Sequence, residues 1–335
     1  MRLPSLGGAM RRRDFLAAIA GTAVGWPRVA FAEQLAMPVV GVLSPFSEVT
    51  SRPWHGAFLR GLRDLGWIVG KNIAVEYRYA DGKGDRVPDL IADLVRLRVN
   101  VILTAVTNDS LAAKNATGSI PIVMAAPGDP VATGIVASLG HPGGNVTGLS
   151  QMTPDITGKR LEFLKELAPE LSVIAVLFNP DDPISVFGVS ELDQASRRLS
   201  VALRSFGVRT NADLDRALDA VATSGANGLA ILPHPIFVTN LKRLADFALQ
   251  RRLPSMFHLS EFVVLGGLLS YGVDRSDLYR RAASYVDKIL KGANAGELPI
   301  EQPTKFDLAI NVKTAGALGL KVPQALIATA DEVIE

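Results

Sequence analysis

Short apolar runs rich in β-branched residues alternate along this chain with stretches whose apolar residues recur at helical spacing. Val39–Ser44 is the first run and predicts a buried strand. Trp54, Phe58 and Leu62 then fall one turn apart, and Gly66 sits where a helix C-terminus is capped, which predicts a helix over 52–66. The same alternation predicts strands over 73–80, 101–105 and 120–126, with helices over 86–97 and 108–117 between them. Pro127-Gly128-Asp129-Pro130 forces a turn, a short helix is expected after it, and His141-Pro142-Gly143-Gly144 turns the chain again before a strand over 145–150.

The second half repeats the theme. Thr153-Pro154-Asp155 is a helix start, with threonine as N-cap and an acid near the positive end of the dipole, and Pro169 stops that helix. Strands are expected over 173–178, 228–232 and 254–257, and helices over 188–206 and 238–251. Two β-α units trail behind: a strand over 268–273 with a helix over 276–291, then a strand over 305–312 with a helix over 313–318. Strand and helix alternating at this spacing predict parallel sheets wrapped on both faces. Two similar halves with two trailing units predict that the chain returns once to each half.

With 335 residues, 48% of them hydrophobic, the chain is long enough for two cores. Residues 1–32 read as an export signal. Arg11-Arg12-Arg13 supplies the charge, Ala17–Gly25 the short apolar core, and Ala30-Phe31-Ala32 the small-x-small cleavage site. Arg12-Arg13-Asp14-Phe15-Leu16 also resembles the twin-arginine R-R-x-F-L motif. This segment holds five basic residues and one acid, so the remainder carries 30 basic and 32 acidic residues. The overall charge of +2 therefore belongs to the leader, and a nucleic-acid partner loses its electrostatic argument. The chain has no cysteine, which excludes disulfides, thiol catalysis and a lipidated N-terminal cysteine.

No motif for phosphate-loop, zinc-protease or serine-hydrolase chemistry is complete, and the glycine-rich stretch 143–148 precedes a strand instead of joining a strand to a helix. His55, His141, His234 and His258 lack metal-ligand spacing. Asp109, Asp129, Asp181, Asp182 and Glu261 follow predicted strands, where ligands of open α/β sheets bind; capping of turns and helices is the competing role for the aspartates. No acid–base pair stands out, so the expectation is a protein that is not an enzyme and needs no cofactor.

The stretch D-P-V-A-T-G-I-V-A-S-L-G-H-P-G-G-N-V-T-G-L-S at 129–150 resembles the mid-chain motif of ABC-transporter substrate-binding proteins of the tryptophan/tyrosine-uptake type. F-L-R-G-L-R-D-L-G-W at 58–67, K-R-L-E-F-L-K-E-L at 159–167, G-G-L-L-S-Y-G at 266–272 and Q-P-T-K-F-D-L-A-I-N-V-K-T-A at 302–315 extend the resemblance along the chain. It implies a type I periplasmic-binding fold: two Rossmann-like, doubly wound parallel-sheet lobes joined by a three-crossing hinge. The first lobe is placed at 38–149 plus 267–293, the second at 150–266 plus 300–320, and a tail at 321–335, with crossings near Ser150, Gly266 and Gly296. The implied partners are a small-molecule ligand and an ABC permease with its ATPase, for a monomeric, periplasmic protein cleaved after Ala32. A sensor, or an enzyme on the same scaffold, are the other readings.

Ligand contacts are expected from Ser44, Phe46, Thr107, Asn108 and Asp129 of the first lobe, from Gln151, Asn179, Ser185, His234 and Phe257 of the second, and from Tyr271 near the hinge. Where the family's aromatic-amino-acid branch carries polar anchors, as aligned here, this chain has Gln151, Ile184, Pro235 and Phe237. That substitution pattern implies a ligand that is not an ordinary zwitterionic amino acid but an apolar or aromatic compound with one polar or acidic end. Asp181, Asp182 or Glu261 could supply the missing charge from another position.

Overall fold

The computed structural model describes residues 37–151 and 156–335. The expected export signal and the helix start at Thr153-Pro154-Asp155 lie outside the described residues. The first lobe runs β1 (Val39–Ser44), α1 (Glu48–Asp64), β2 (Ala74–Tyr79), α2 (Val87–Arg96), β3 (Val101–Thr104), α3 (Thr107–Ala116), β4 (Ile122–Met124) and β5 (Val146–Gly148). Its five strands are all parallel, in the order β2-β1-β3-β4-β5. Val101–Thr104 and Ile122–Met124 are buried throughout, as central parallel strands covered on both faces must be.

The short helix expected after Asp129 does not form. Asp129 Oδ1 instead accepts the backbone N–H groups of Val131 and Ala132, and Gly134 turns the chain with a φ of +72°.

The second lobe runs α4 (Thr157–Leu167), β6 (Val173–Phe178), α5 (Pro183–Leu199), β7 (Ala202–Gly207), α6 (Asn211–Thr223), β8 (Gly228–Ile231), α7 (Pro235–Val238), α8 (Leu241–Gln250), β9 (Ser255–Phe257), α9 (Ser260–Val264) and β10 (Leu269–Gly272). The helix expected over 188–206 is two elements. Ser200 adopts a left-handed φ of +53° and ends α5, and the chain continues as β7. β7 is a mostly exposed edge strand, so no buried alternation marks it, while Leu199 and Phe206 happen to fall on one helical stripe. Helix α6 is closed at its start by a reciprocal capping box between Thr210 and Asp213.

α10 (Arg275–Leu290), β11 (Asp307–Asn311), α11 (Val312–Leu318), α12 (Gln324–Thr329) and β12 (Glu332–Ile334) complete the chain. The second sheet has the order β12-β11-β10-β9-β8-β6-β7, parallel except where β11 runs antiparallel to β10. Residues 321–335, expected as a tail, supply its edge strand.

The expected return of 267–293 to the first lobe is divided. β10 pairs with β9 and β11 in the second sheet, and only α10 goes back, packing on α1. The link from β9 to β10 is a short crossover around α9, which delivers the chain to the neighbouring strand of the same sheet. Helices α1 and α10 meet closely at Gly61, where a Cβ would stand 2.5 Å from the Arg280 carbonyl oxygen. The crossings between lobes thus fall after Leu149, between Gly272 and Arg275, and after Glu301, which bridges to Leu149 beside the first sheet.

Candidate functional site

β2-β1-β3-β4-β5 and β7-β6-β8-β9-β10 have the same winding, so each lobe reverses direction at its first strand. Loops leaving the carboxyl ends of strands at such a switch point form a crevice. Here both crevices open onto one cavity of about 30 Å³. Its wall comes from the ends of eight strands. Phe46 follows β1, Thr107 and Asn108 follow β3, Gly128 follows β4 and Gln151 follows β5. Asp182 and Ile184 follow β6, His234 and Pro235 follow β8, His258 follows β9 and Arg275 follows β10.

Five of the eleven expected residues line this cavity: Phe46, Thr107, Asn108, Gln151 and His234. Thr107 Oγ1 is engaged with the N–H of Gly128 at 3.0 Å, tying the start of α3 to the loop after β4. His234 caps α7, its Nδ1 accepting the Ile236 N–H at 3.2 Å, which leaves the ring proton on Nε2. Burial holds the His234 pKa down to about 4, so the ring is neutral near pH 7.

The other six are absent from the wall, each for a local reason. Ser44 Oγ is hydrogen-bonded to Ser51 Oγ at 2.8 Å, and Asp129 caps its turn. Asn179 Oδ1 accepts the Asp181 N–H, closing the turn after β6. Ser185 Oγ faces both Asp182 Oδ2 and the Pro233 carbonyl at 3.0 Å, pinning α5 to the loop after β8. Phe257 is core, edge-on to His258 and Phe262. Tyr271 packs its ring on Phe163 and Phe306, while its carbonyl accepts from Arg160 Nε at 2.6 Å.

Of the alternative acids, Asp181 is spent on Arg209 at the surface and Glu261 accepts the Trp54 indole N–H at 3.2 Å. Only Asp182 reaches the cavity. It caps α5, accepting from Ile184 N–H and Ser185 Oγ, and burial raises its pKa against those hydrogen bonds. Ile184 and Pro235 do stand on the wall, as apolar surface.

Two residues of the wall, Arg275 and His258, were not among the expected ligand contacts. Arg275 is 5% exposed, and its guanidinium lies 4.7 Å from the Trp54 ring and 5.5 Å from the Phe46 ring. Its Nε and Nη1 have no hydrogen-bond partner, and among the described residues it forms no salt bridge. His258 is 4% exposed and neither ring nitrogen has a partner. Burial, then the positive charges of Arg275 and Arg160, holds its pKa well below the ordinary value, so the ring is neutral. The signal in the sequence was local. Asp274 caps α10, yet a basic residue follows it at the first helical position, where the dipole disfavours positive charge.

The lobes also meet beside the cavity. A Cβ at Gly128 would stand 2.7 Å from Ile184 Cδ1, and the Trp54–Glu261 hydrogen bond joins α1 to α9. No group of three or more potential metal ligands occurs among the described residues, and no described helix is long and apolar enough to cross a membrane.

Two α/β lobes of this winding, linked by three crossings and facing one cleft, define the type I periplasmic-binding class. The family model described as ABC transporter substrate binding protein matches residues 40–334, and the chain belongs to that family. Its role is that of the substrate-binding component of an ABC transporter, and the family is extracytoplasmic. Among curated relatives, a tyrosine-binding protein of Clostridioides difficile is 26% identical over 264 residues, spanning 79% of this chain and 76% of the relative. Among solved structures, a conserved domain protein from Vibrio cholerae is 27% identical with a TM-score of 0.83, covering 89% of this chain and 99% of the other. An ABC domain from Streptococcus pneumonia in complex with L-Trp is 22% identical with the same TM-score and coverage.

Proposed function

We propose that this protein captures a small organic molecule between its lobes and delivers it to a membrane permease driven by an ATPase. The observation that carries this reading is the shared cavity. Phe46, Thr107 and Gln151 on one side and Asp182, His234 and His258 on the other can contact one ligand together only when the lobes are closed. A ligand that gains contacts only in the closed form shifts the hinge equilibrium toward it, and that shift is the message to the transporter. The hinge is the three strands of chain after Leu149, before Arg275 and after Glu301.

The ligand has an apolar or aromatic body with one polar or acidic end. The relatives named for tyrosine and bound to L-Trp support an aromatic body of modest size. Ile184 and Pro235 on the wall support an apolar surface around it. The protein acts as a monomer without catalysis, exported to the periplasm by a twin-arginine-type signal cleaved after Ala32. The order of charge, apolar core and cleavage site in residues 1–32 supports that export.

Native mass spectrometry of the protein from the extracytoplasmic fraction tests both parts. The expected spectrum shows a chain beginning at Glu33 with one small organic molecule bound and released unchanged on denaturation. A full-length cytoplasmic product, or a molecule chemically altered by the protein, contradicts it.

A further inference from the structure

The cleft contains unspent hydrogen-bonding groups, and around its narrow cavity most of them are donors. Among the described residues that line the cavity, the buried side-chain atoms without partners are Arg275 Nε and Nη1 and both nitrogens of His258. A neutral imidazole offers one donor and one acceptor, so the set is three donors against one acceptor. Arg275 is also an unpaired buried cation, which is costly unless something satisfies it. The helix α10 beginning at Arg275 adds its positive N-terminal dipole. Arg160, 2% exposed, adds a second buried cation near His258 while its own Nε is bound to Tyr271.

Resting on the binding-protein reading above, we propose that Arg275 and His258 form the seat for a carboxylate, and that the ligand is an amphipathic monocarboxylate without an α-ammonium group. A carboxylate presents two acceptor oxygens, matching the planar fork of an arginine. The acids near the seat argue for a single charge. Asp182 faces the same cavity, and Glu261 acts on Arg275 electrostatically, so a dianion meets repulsion that a monoanion largely escapes. The carboxylate of Asp182 is already engaged by Ile184 N–H and Ser185 Oγ. Asp109 Oδ2, on the wall of the wider space beside the cavity, is buried without a partner, and burial favours its neutral form, which offers an ammonium no counter-charge. The apolar body has somewhere to go. A wider space of about 340 Å³ shares Val106, Asn108, His234 and Pro235 with the cavity and continues over Val87, Pro88 and Ala112.

Arg275 is thus a specificity-determining residue placed at a crossing between lobes. Its carboxylate partner touches a side chain on a first-lobe helix and another at the end of a second-lobe strand, so it is held only when the two are together.

Titration calorimetry and thermal shift on the cleaved protein test this, with 3-phenylpropionate, 4-phenylbutyrate, hexanoate and octanoate as probes. The controls are 3-phenylpropionamide, phenylalanine, tyrosine, tryptophan and phenylphosphonate. At least one monocarboxylate is expected to bind, with its amide, its amino acid and the phosphonate weaker. Arg275→Met is expected to weaken that acid by roughly 100-fold, the loss of two charge-assisted hydrogen bonds. Arg275→Lys falls between, because it keeps the charge and loses the fork. The melting temperature of ligand-free Arg275→Met is expected to equal or exceed that of the wild type, since an unpaired buried charge is removed; a purely structural arginine would lower it. Ala112→Phe is expected to weaken octanoate and spare hexanoate. Tight binding of a free amino acid, unchanged by Arg275→Met, would overturn the carboxylate seat and leave the binding-protein reading standing. Failure of every monocarboxylate to bind would overturn the seat as well, whereas the mass of a co-purified ligand judges the binding-protein reading separately.

Discussion

The groups that tie down the loops of the cleft and the groups at its hinge are both polar, yet their hydrogen bonds are in opposite states. On the first-lobe wall the hydroxyl of Thr107 is spent on Gly128 N–H, and behind it Ser44 is spent on Ser51 and Asp129 on its own turn. At the hinge and the end of β9, Arg275 and His258 are buried with their nitrogens unspent. The difference teaches which groups position the loops and which remain to meet a ligand. Buried polar groups are almost always satisfied, so the exceptions point to function more sharply than polarity does.

The largest effect expected from breaking this arrangement is at Phe46, fully buried and edge-on to Trp54 at 5.2 Å. Phe46→Ala is expected to destabilise the protein by about 3–5 kcal/mol in urea unfolding, because it leaves a cavity and removes one ring from beneath Arg275. Stability within about 1 kcal/mol of wild type would show that the first-lobe wall can collapse around the gap.

Closure comes next. Gly128 and Ile184 meet across the two walls with no room for a Cβ, so Gly128→Leu is expected to wedge them apart. Ligand affinity should fall by roughly 10-fold or more, about 1.4 kcal/mol, while the melting temperature of the free protein changes little. Equal affinity would mean that the walls need not meet for binding.

The buried histidines set a pH dependence. His55 is held at a pKa of about 4 by burial, its ring stacked on Tyr77, and His234 is likewise held near 4. Unfolded histidine takes up a proton near pH 6.5, whereas these folded rings do so only near 4. The unfolded state therefore binds more protons in that window, and stability falls as pH drops from 6.5 toward 4. Asp109 and Asp182 have pKa values raised by burial and act in the opposite sense, adding stability as pH falls through their raised pKa values toward that of an unfolded carboxylate. His55→Phe is expected to flatten the fall in melting temperature between pH 6.5 and 4.5. An unchanged slope would assign the acid sensitivity to other groups.

The smallest effect is remote from the cleft. Thr210→Ala removes the capping box of α6 and is expected to cost about 1 kcal/mol with ligand affinity unchanged.

The sheets were legible in the sequence because their strands are apolar runs between turn signals, and β1, β3, β6 and β8 fall within about one residue of the expected ranges. β7 was hidden because an exposed edge strand has no buried face to imprint on the pattern. The fate of β10 was hidden because periodicity marks a strand without saying which sheet receives it. Residues at strand ends were found as a class, and Phe46, Thr107, Asn108, Gln151 and His234 do reach the cavity. Asn179 and Ser185 sit at equally suitable positions but are consumed by local hydrogen bonds that only coordinates reveal. Arg275 was overlooked because a basic residue at the first position of a helix reads as solvated surface, and its burial shows only in the packing.

A crystal structure of the protein with the tightest-binding monocarboxylate tests the central claim most directly. The carboxylate oxygens are expected within hydrogen-bond distance of Arg275 Nε or Nη1, with His258 donating to one of them and the apolar body running past Val106 toward Ala112. A carboxylate seated on Thr107 at the start of α3, with Arg275 still unpartnered, would contradict it.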